Sequence, residues 1–224
     1  MRLLAVDTSG EACSAALLCG DTLVQVLELA PRRHGDLILG MMARLLAEAG
    51  LTLGELDALA FGQGPGSFTG VRIATAVVQG AAFGAGLGVV GVSTLAALAQ
   101  GTHRRTGRRR ILAALDARMD EVYWGCYRIG ADGIAALVGE ELVVPPQAVP
   151  LPDGPGWYGV GSGFGAYGDQ LGQALGPALV GVDQGQICEA GDIARLAQGA
   201  WHRGEAVAPE LALPVYLRDR VTAH

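Results

Sequence analysis

Leu3-Leu4-Ala5-Val6-Asp7 opens the chain, and Leu112-Ala113-Ala114-Leu115-Asp116 returns to the same pattern. Each is a short apolar run ending in aspartate, as expected of a buried strand with a carboxylate at its C-terminal end. The 109 positions separating Asp7 from Asp116 also carry the strand-like run at 13–19 onto 122–128. Gly20-Asp21 suits a hairpin turn into a third strand over 22–29. Gly130 takes the part of Gly20 one residue late, ahead of a strand over 134–144. Two three-strand meanders, each with an aspartate closing its first strand, point to a duplicated α/β unit.

Outward from the first meander, the pattern predicts a helix over 34–49 ended by Gly50 and a strand over 56–61. A glycine-rich loop over 62–66 leads to a helix from Thr69 to about Gly84, a strand over 89–92, and a helix opened by Ser93 or Thr94. The order is β-β-β-α-β-α-β-α. The second copy reads as reduced, because Pro145, Pro146, Pro150, Pro152 and Pro155 break the region where its first helix belongs. A strand over 157–160, helices over 164–175 and 192–203, and a tail over 214–221 complete it. The expected division is an intact lobe over 1–103 and a reduced lobe over 104–224.

Of 224 residues, 50% are hydrophobic and 17% charged, against an average near 25% charged in soluble chains. Mean hydropathy is +0.34. Residues 73–103 carry no formal charge and are long enough to span a bilayer. Gly80, Gly84, Gly86, Gly88, Gly91, Gln79 and many alanines argue against insertion, which Leu, Ile and Phe drive. We therefore cut this stretch into helix, strand and helix, and expect a cytoplasmic protein with no membrane contact. All 16 basic residues are Arg, and Lys and Asn are absent. This excludes a Walker-A or Schiff-base lysine and N-glycosylation. A net charge of −6 disfavours nucleic acid globally. Cys13, Cys19, Cys126 and Cys188 show no C-x-x-C spacing and read as reduced thiols. His34, His103, His202 and His224 are scattered, so no metal site is expected.

Four features can carry function, each with a plainer reading beside it. Asp7 and Asp116 can hold a metal–nucleotide complex, or cap strand ends through backbone N–H groups. Asp7-Thr8-Ser9-Gly10 is better suited to a phosphate turn than the glycine-free run after Asp116. Gly64-Pro65-Gly66-Ser67-Phe68-Thr69-Gly70-Val71-Arg72 can offer backbone N–H groups to an anion. Its glycines can equally permit close packing, with Ser67 or Thr69 as N-cap. Arg104, Arg105, Arg108, Arg109 and Arg110 can touch RNA phosphates or form a solvated connection. The helix over 34–49 is apolar around about half its circumference, wider than the ~100° stripe one core requires. Ala76, Gly80 and Gly84 recur every four residues on the next helix, so another backbone can approach it. Either the lobe hides these helices, or they meet another chain, where Met41 and Met42 would suit an adaptable contact.

GPGSFTGVR at 64–72, with LLAVDTS at 3–9 and PVYLRDRV at 214–221, resembles the TsaB family, also called YeaZ. The resemblance implies an α/β chain of the actin-like ATPase fold (ASKHA, ribonuclease-H-like), with duplicated βββαβα lobes, the second reduced. It implies a non-catalytic partner of TsaD. With TsaE and the synthase TsaC, that pair installs threonylcarbamoyl on N6 of the adenosine beside the anticodon, in tRNAs reading A-starting codons. The first-lobe helices of that family pair with those of TsaD, or with themselves in a homodimer. By this resemblance the partner face is Leu37, Ile38, Met41, Met42, Leu45, Ile73, Ala76, Val77 and Gly80. The signature loop is Gly64, Pro65, Gly66, Ser67, Thr69, Gly70 and Arg72, and Asp7, Thr8 and Ser9 face the nucleotide position. Catalytic relatives carry a metal-binding His-x-x-x-His, and this chain reads His-Gly-Asp-Leu-Ile from His34. The expectation is a scaffold and activating subunit without cofactor, meeting tRNA through the complex. A charge at Met41 or Leu45 should then abolish pairing and leave the monomer folded. The alternatives are a stand-alone ATP-dependent enzyme using Asp7 and Asp116, and an RNA-binding module using the arginines.

Overall fold

The computed structural model describes residues 1–218. Residues 219–224, which include the end of the tail expected over 214–221 and His224, lie outside the described residues. The first half runs β1 (Arg2–Asp7), β2 (Ala12–Cys19), β3 (Thr22–Leu29), α1 (His34–Ala49), β4 (Ala58–Gly64), α2 (Phe68–Ala85), β5 (Gly88–Ser93) and α3 (Thr94–Thr106). Then follow β6 (Arg110–Arg118), β7 (Glu121–Ile129), β8 (Ala135–Val144), β9 (Trp157–Val160), α4 (Ser162–Leu175), β10 (Leu179–Asp183) and α5 (Ala190–His202). The uncharged stretch divides as expected, into the end of α2, β5 and the start of α3. No described helix is long and apolar enough to cross a membrane.

Two sheets carry the duplication. The first has the order β3-β2-β1-β4-β5 and the second, read from its other edge, β8-β7-β6-β9-β10. In each, the first three strands are antiparallel and the last two join parallel to the first. Asp7 and Asp116 stand toward the ends of equivalent strands, β1 and β6. In the proline-rich stretch between β8 and β9, only a 3-10 turn at Pro146–Ala148 replaces a helix. β10 is an addition to the expected elements.

The contacts divide the chain into one unit of Met1–Ala97 with Cys188–Val215 and another of Leu98–Ile187 with residues 216–218 among those described. The division expected at 103/104 thus falls inside α3, and residues 188–215 group with the first sheet rather than with the second. The reason is packing. Ala190, Ile193, Ala194 and Ala197 of α5 lie on a face built from Leu3, Ala5, Ala16, Ala58 and Ala60. The small side chains of both surfaces let the helix sit close.

On the opposite face of the first sheet, Leu4, Val6, Leu17, Leu59 and Phe61 pack against α1 and α2. β1, β2 and β4 are covered on both sides, so they read as continuous apolar runs rather than alternating ones. α1 closes at Gly50, whose left-handed backbone lets its N–H reach the Leu46 and Ala47 carbonyls. In the second unit, Leu112, Ala114, Trp124 and Trp157 form the core with Phe164 of α4.

Candidate functional site

The signature motifs of the first unit converge at the ends of β1 and β4. The Thr8 hydroxyl donates to the Gly70 carbonyl at 2.6 Å. The Ser67 N–H donates to the Ser9 carbonyl at 2.8 Å, and the Ser67 hydroxyl caps α2 by accepting from Gly70 N–H at 3.3 Å. A Cβ on Gly66 would lie 2.6 Å from the Ser9 carbonyl oxygen, and one on Gly70 only 1.9 Å from that of Thr8. The Thr94 hydroxyl bonds the Pro65 carbonyl, following a cis Gly64–Pro65 peptide. His34, buried at the start of α1, places Nε2 3.0 Å from the Gly10 carbonyl oxygen. The Val215 N–H of the tail donates to Gln63 O at 2.8 Å.

This geometry favours the packing reading of the loop. The Ser67 and Gly70 N–H groups are already bonded within the protein, and Gly66 and Gly70 serve close backbone packing. Arg72 stacks over the Phe68 ring at 3.5 Å, at the outer edge of the loop.

Asp7, Thr8 and Ser9 are all buried, so they do not present a nucleotide-facing surface. This corrects the expectation for these three residues. The Asp7 carboxyl is fully enclosed, with Ser9 and the Cys188 thiol as its polar neighbours. A Cβ on Gly62 would fall 2.2 Å from Asp7 Oδ1, with Ile193 and Thr94 in the same small space. Burial pushes the Asp7 carboxyl up to about 7, offset only in part by Ser9 and the Cys188 thiol. Burial, with Asp7 beside it, also holds the Cys188 thiol well above its ordinary value.

Asp116 takes the cap reading. It accepts from its own turn, Arg118 N–H, at 2.8 Å, and pairs with the Arg118 guanidinium at 2.9 Å. Tyr167 OH lies 3.4 Å away. Arg118, Met119 and Asp120 all adopt left-handed backbone in the hairpin that follows. Among the described residues, no cluster of three His, Cys, Asp or Glu side chains could hold a metal. The four cysteines are free thiols.

The expected partner face divides by burial. Ile38, Met41, Met42 and Leu45 belong to the chain's own core, while Leu37, Ile73 and Val77 are half-buried. The wide apolar arc of α1 has two internal neighbours, the sheet and α2, which explains why it exceeds a single stripe. This corrects the reading of those four as partner contacts. Ala76 and Gly80 do face outward. Around them, the open side of α2 carries Arg72, Gly84 and Phe83, the last 79% exposed. The open side of α1 carries Gly40, Ala43, Ala47 and Leu39, the last 58% exposed. A Cβ placed on Gly40, Gly80 or Gly84 would meet nothing within 4 Å. The four-residue recurrence of Ala76, Gly80 and Gly84 points to this stripe. Leu39 and Phe83 give no such signal, because a single large apolar residue on an outward face has no period.

The family model described as "TsaD: tRNA N6-adenosine threonylcarbamoyltransferase" matches residues 26–161. The chain is 44% identical over 226 residues to the tRNA threonylcarbamoyladenosine biosynthesis protein TsaB of Escherichia coli (strain K12), covering 99% of this chain and 96% of that protein. Against the protein of the same name from Haemophilus influenzae the identity is 37% over 232 residues, with 99% and 95% covered. The solved structure of YeaZ from Pseudomonas aeruginosa superposes with a TM-score of 0.89 at 48% identity, covering 96% of this chain and 99% of that one. With its two equivalent mixed sheets, the molecule is an α/β protein of the actin-like (ASKHA) fold. Within that class, the chain belongs to the TsaB (YeaZ) family.

Proposed function

We propose that this chain is the scaffold and activating subunit of a tRNA threonylcarbamoyltransferase. In this reading it supports a TsaD-like catalytic subunit, acting with a TsaE-like ATPase. The complex transfers threonylcarbamoyl to N6 of the adenosine 3′ of the anticodon in tRNAs reading A-starting codons. Family membership supports a role in tRNA threonylcarbamoyladenosine biosynthesis, in the cytoplasm. The observation that carries the finer reading is the open stripe of α1 and α2. Gly40, Ala43, Ala47, Ala76, Gly80 and Gly84 leave room for another helix, with Leu39 and Phe83 exposed as apolar anchors. Small residues along a helix let a partner backbone approach closely, and exposed aromatics are typical anchors of protein interfaces. The same stripe can pair two copies when the catalytic subunit is absent.

A stand-alone enzyme using Asp7 and Asp116 is disfavoured by the site geometry, since Asp7 is sealed beneath α5 and Asp116 is engaged by Arg118. The decisive experiment is reconstitution of tRNA modification from TsaC-, TsaD- and TsaE-like proteins with and without this chain, with threonylcarbamoyladenosine quantified by mass spectrometry. The expected result is product only when the chain is present. An equal rate without it would overturn the proposal.

A further inference from the structure

The arginine cluster noted in the sequence is not one loop. Arg104 and Arg105 lie in the last turn of α3, Arg108 and Arg109 in the connection, and Arg110 begins β6. β7 brings in a further position that the sequence does not place nearby, because Arg110 and Arg128 are direct cross-strand partners. Directly opposed like charges are unfavourable in a sheet, and here no carboxylate relieves them. Among the described residues, none of Arg108, Arg109, Arg110 and Arg128 is ion-paired. Asp132 and Asp153, on the loops bordering this end of the sheet, form no salt bridge with them either.

The four guanidinium groups are held by neutral partners instead. Arg109 donates to the Ile129 and Gly130 carbonyls at 2.9 and 2.7 Å, and Arg110 to the Pro155 carbonyl at 2.6 Å. Arg108 lies over the Tyr158 ring at 4.9 Å, and Arg128 over the Trp157 ring at 5.6 Å. All four residues are exposed. Carbonyl and ring contacts fix position without cancelling charge, and each guanidinium keeps further N–H donors, since it has five. The result is a pre-ordered cationic end of the second sheet, on a chain whose net charge is −6.

We propose that Arg108, Arg109, Arg110 and Arg128 form a face that binds the phosphate backbone of RNA. Guanidinium groups bind phosphate oxygens through paired N–H donors, and uncompensated positive charge distinguishes nucleic-acid interfaces from protein ones. RNA is favoured over other polyanions by the tRNA-modification role proposed above, on which the inference rests. Contact of this kind positions the nucleic acid and reads no base.

The test uses the full chain with Arg108→Gln and Arg128→Gln combined, and each alone, with thermal melting to verify folding. Binding of fluorescent tRNA is measured from low to physiological salt, for the chain alone and with its partners. Removing two phosphate contacts should lower the slope of log K against log salt by roughly 1 to 2. It should also weaken different tRNAs alike and raise the tRNA KM of reconstituted modification with kcat unchanged. An unchanged slope in the folded double variant overturns the inference while leaving the scaffold role standing. A reduced slope with modification independent of the chain sinks the scaffold role and keeps the RNA face. Binding to vesicles containing phosphatidylserine with none to tRNA overturns it in favour of a lipid surface. If the double variant does not fold, the single variants give the reading, each with about half the change in slope.

Discussion

The Thr8 hydroxyl bonds the Gly70 carbonyl while the Gly70 Cα sits so close to the Thr8 carbonyl that a Cβ would lie 1.9 Å from its oxygen. The first signature motif is therefore the packing partner of the second. The atom blocking a side chain at Gly70 is backbone, so no rotamer change can relieve the clash. Gly70→Ala should cost about 3 kcal/mol or more. Thr8→Val, which removes this hydroxyl bond while the Gly70 carbonyl keeps its place in the helix ladder, should cost about 0.5–1.5 kcal/mol. Urea unfolding checks both, and a Gly70→Ala protein as stable as the parent would show that the two motifs are not in this contact.

Gly80 is the opposite case. It lies within α2 with open space where a Cβ would go. Replacing glycine inside a helix gains roughly 0.5–1 kcal/mol of helix propensity. Gly80→Glu should melt no lower than the parent, yet put a charge on the open stripe and lose co-purification with the TsaD-like subunit by at least tenfold. Retained pairing in this well-folded variant would move the interface elsewhere.

Met41→Glu tests the inner side of α1. Met41 is 7% exposed, among Ile38, Met42 and Leu45 in the core. A carboxylate there has no partner, and burying it costs several kcal/mol. The variant should be largely unfolded, and Met41→Ala should lose about 2–5 kcal/mol. A soluble, cooperatively melting Met41→Glu protein that merely failed to pair would put this side chain on the partner face instead of in the core.

The local half of this fold is legible in the sequence and the non-local half is not. α1 can be read to the residue because Gly50 stops a clear helical period, and the meanders because their apolar runs and Gly20-Asp21 turn are local signals. β10 escapes such a reading because Leu179–Asp183 is five residues long, holds a glycine and follows Pro177. The allegiance of α5 is hidden for a different reason. Ala190, Ala194 and Ala197 mean close approach only once a sheet face of Ala5, Ala58 and Ala60 exists to receive them. The burial of Met41 is hidden likewise, since apolar breadth on a helix looks the same whether the second neighbour is α2 or another chain. Asp7 reads as a site residue because a strand-end carboxylate is one in an open cleft, and its cover comes from residues about 180 positions away, Cys188 and Ile193.

Asp7 gives the last prediction. Its carboxyl is raised to about 7 by burial, against about 3.9 in the unfolded chain. Between those values the folded protein holds a proton that the unfolded protein has released, so stability falls as pH rises from about 4 to about 7 and levels off above. Each unit of difference is worth about 1.4 kcal/mol, so the full change amounts to several kcal/mol. Asp7→Asn keeps the shape and removes the titration. Urea unfolding of both proteins at intervals from pH 4.5 to 8.5 isolates this one group, because every other titration is common to the pair. The parent should lose stability relative to Asp7→Asn up to about pH 7, and the gap should then stay constant. A gap independent of pH across that range would mean that Asp7 is ionised in the folded state, and that the enclosure formed with Gly62, Cys188 and Ile193 admits water or a cation.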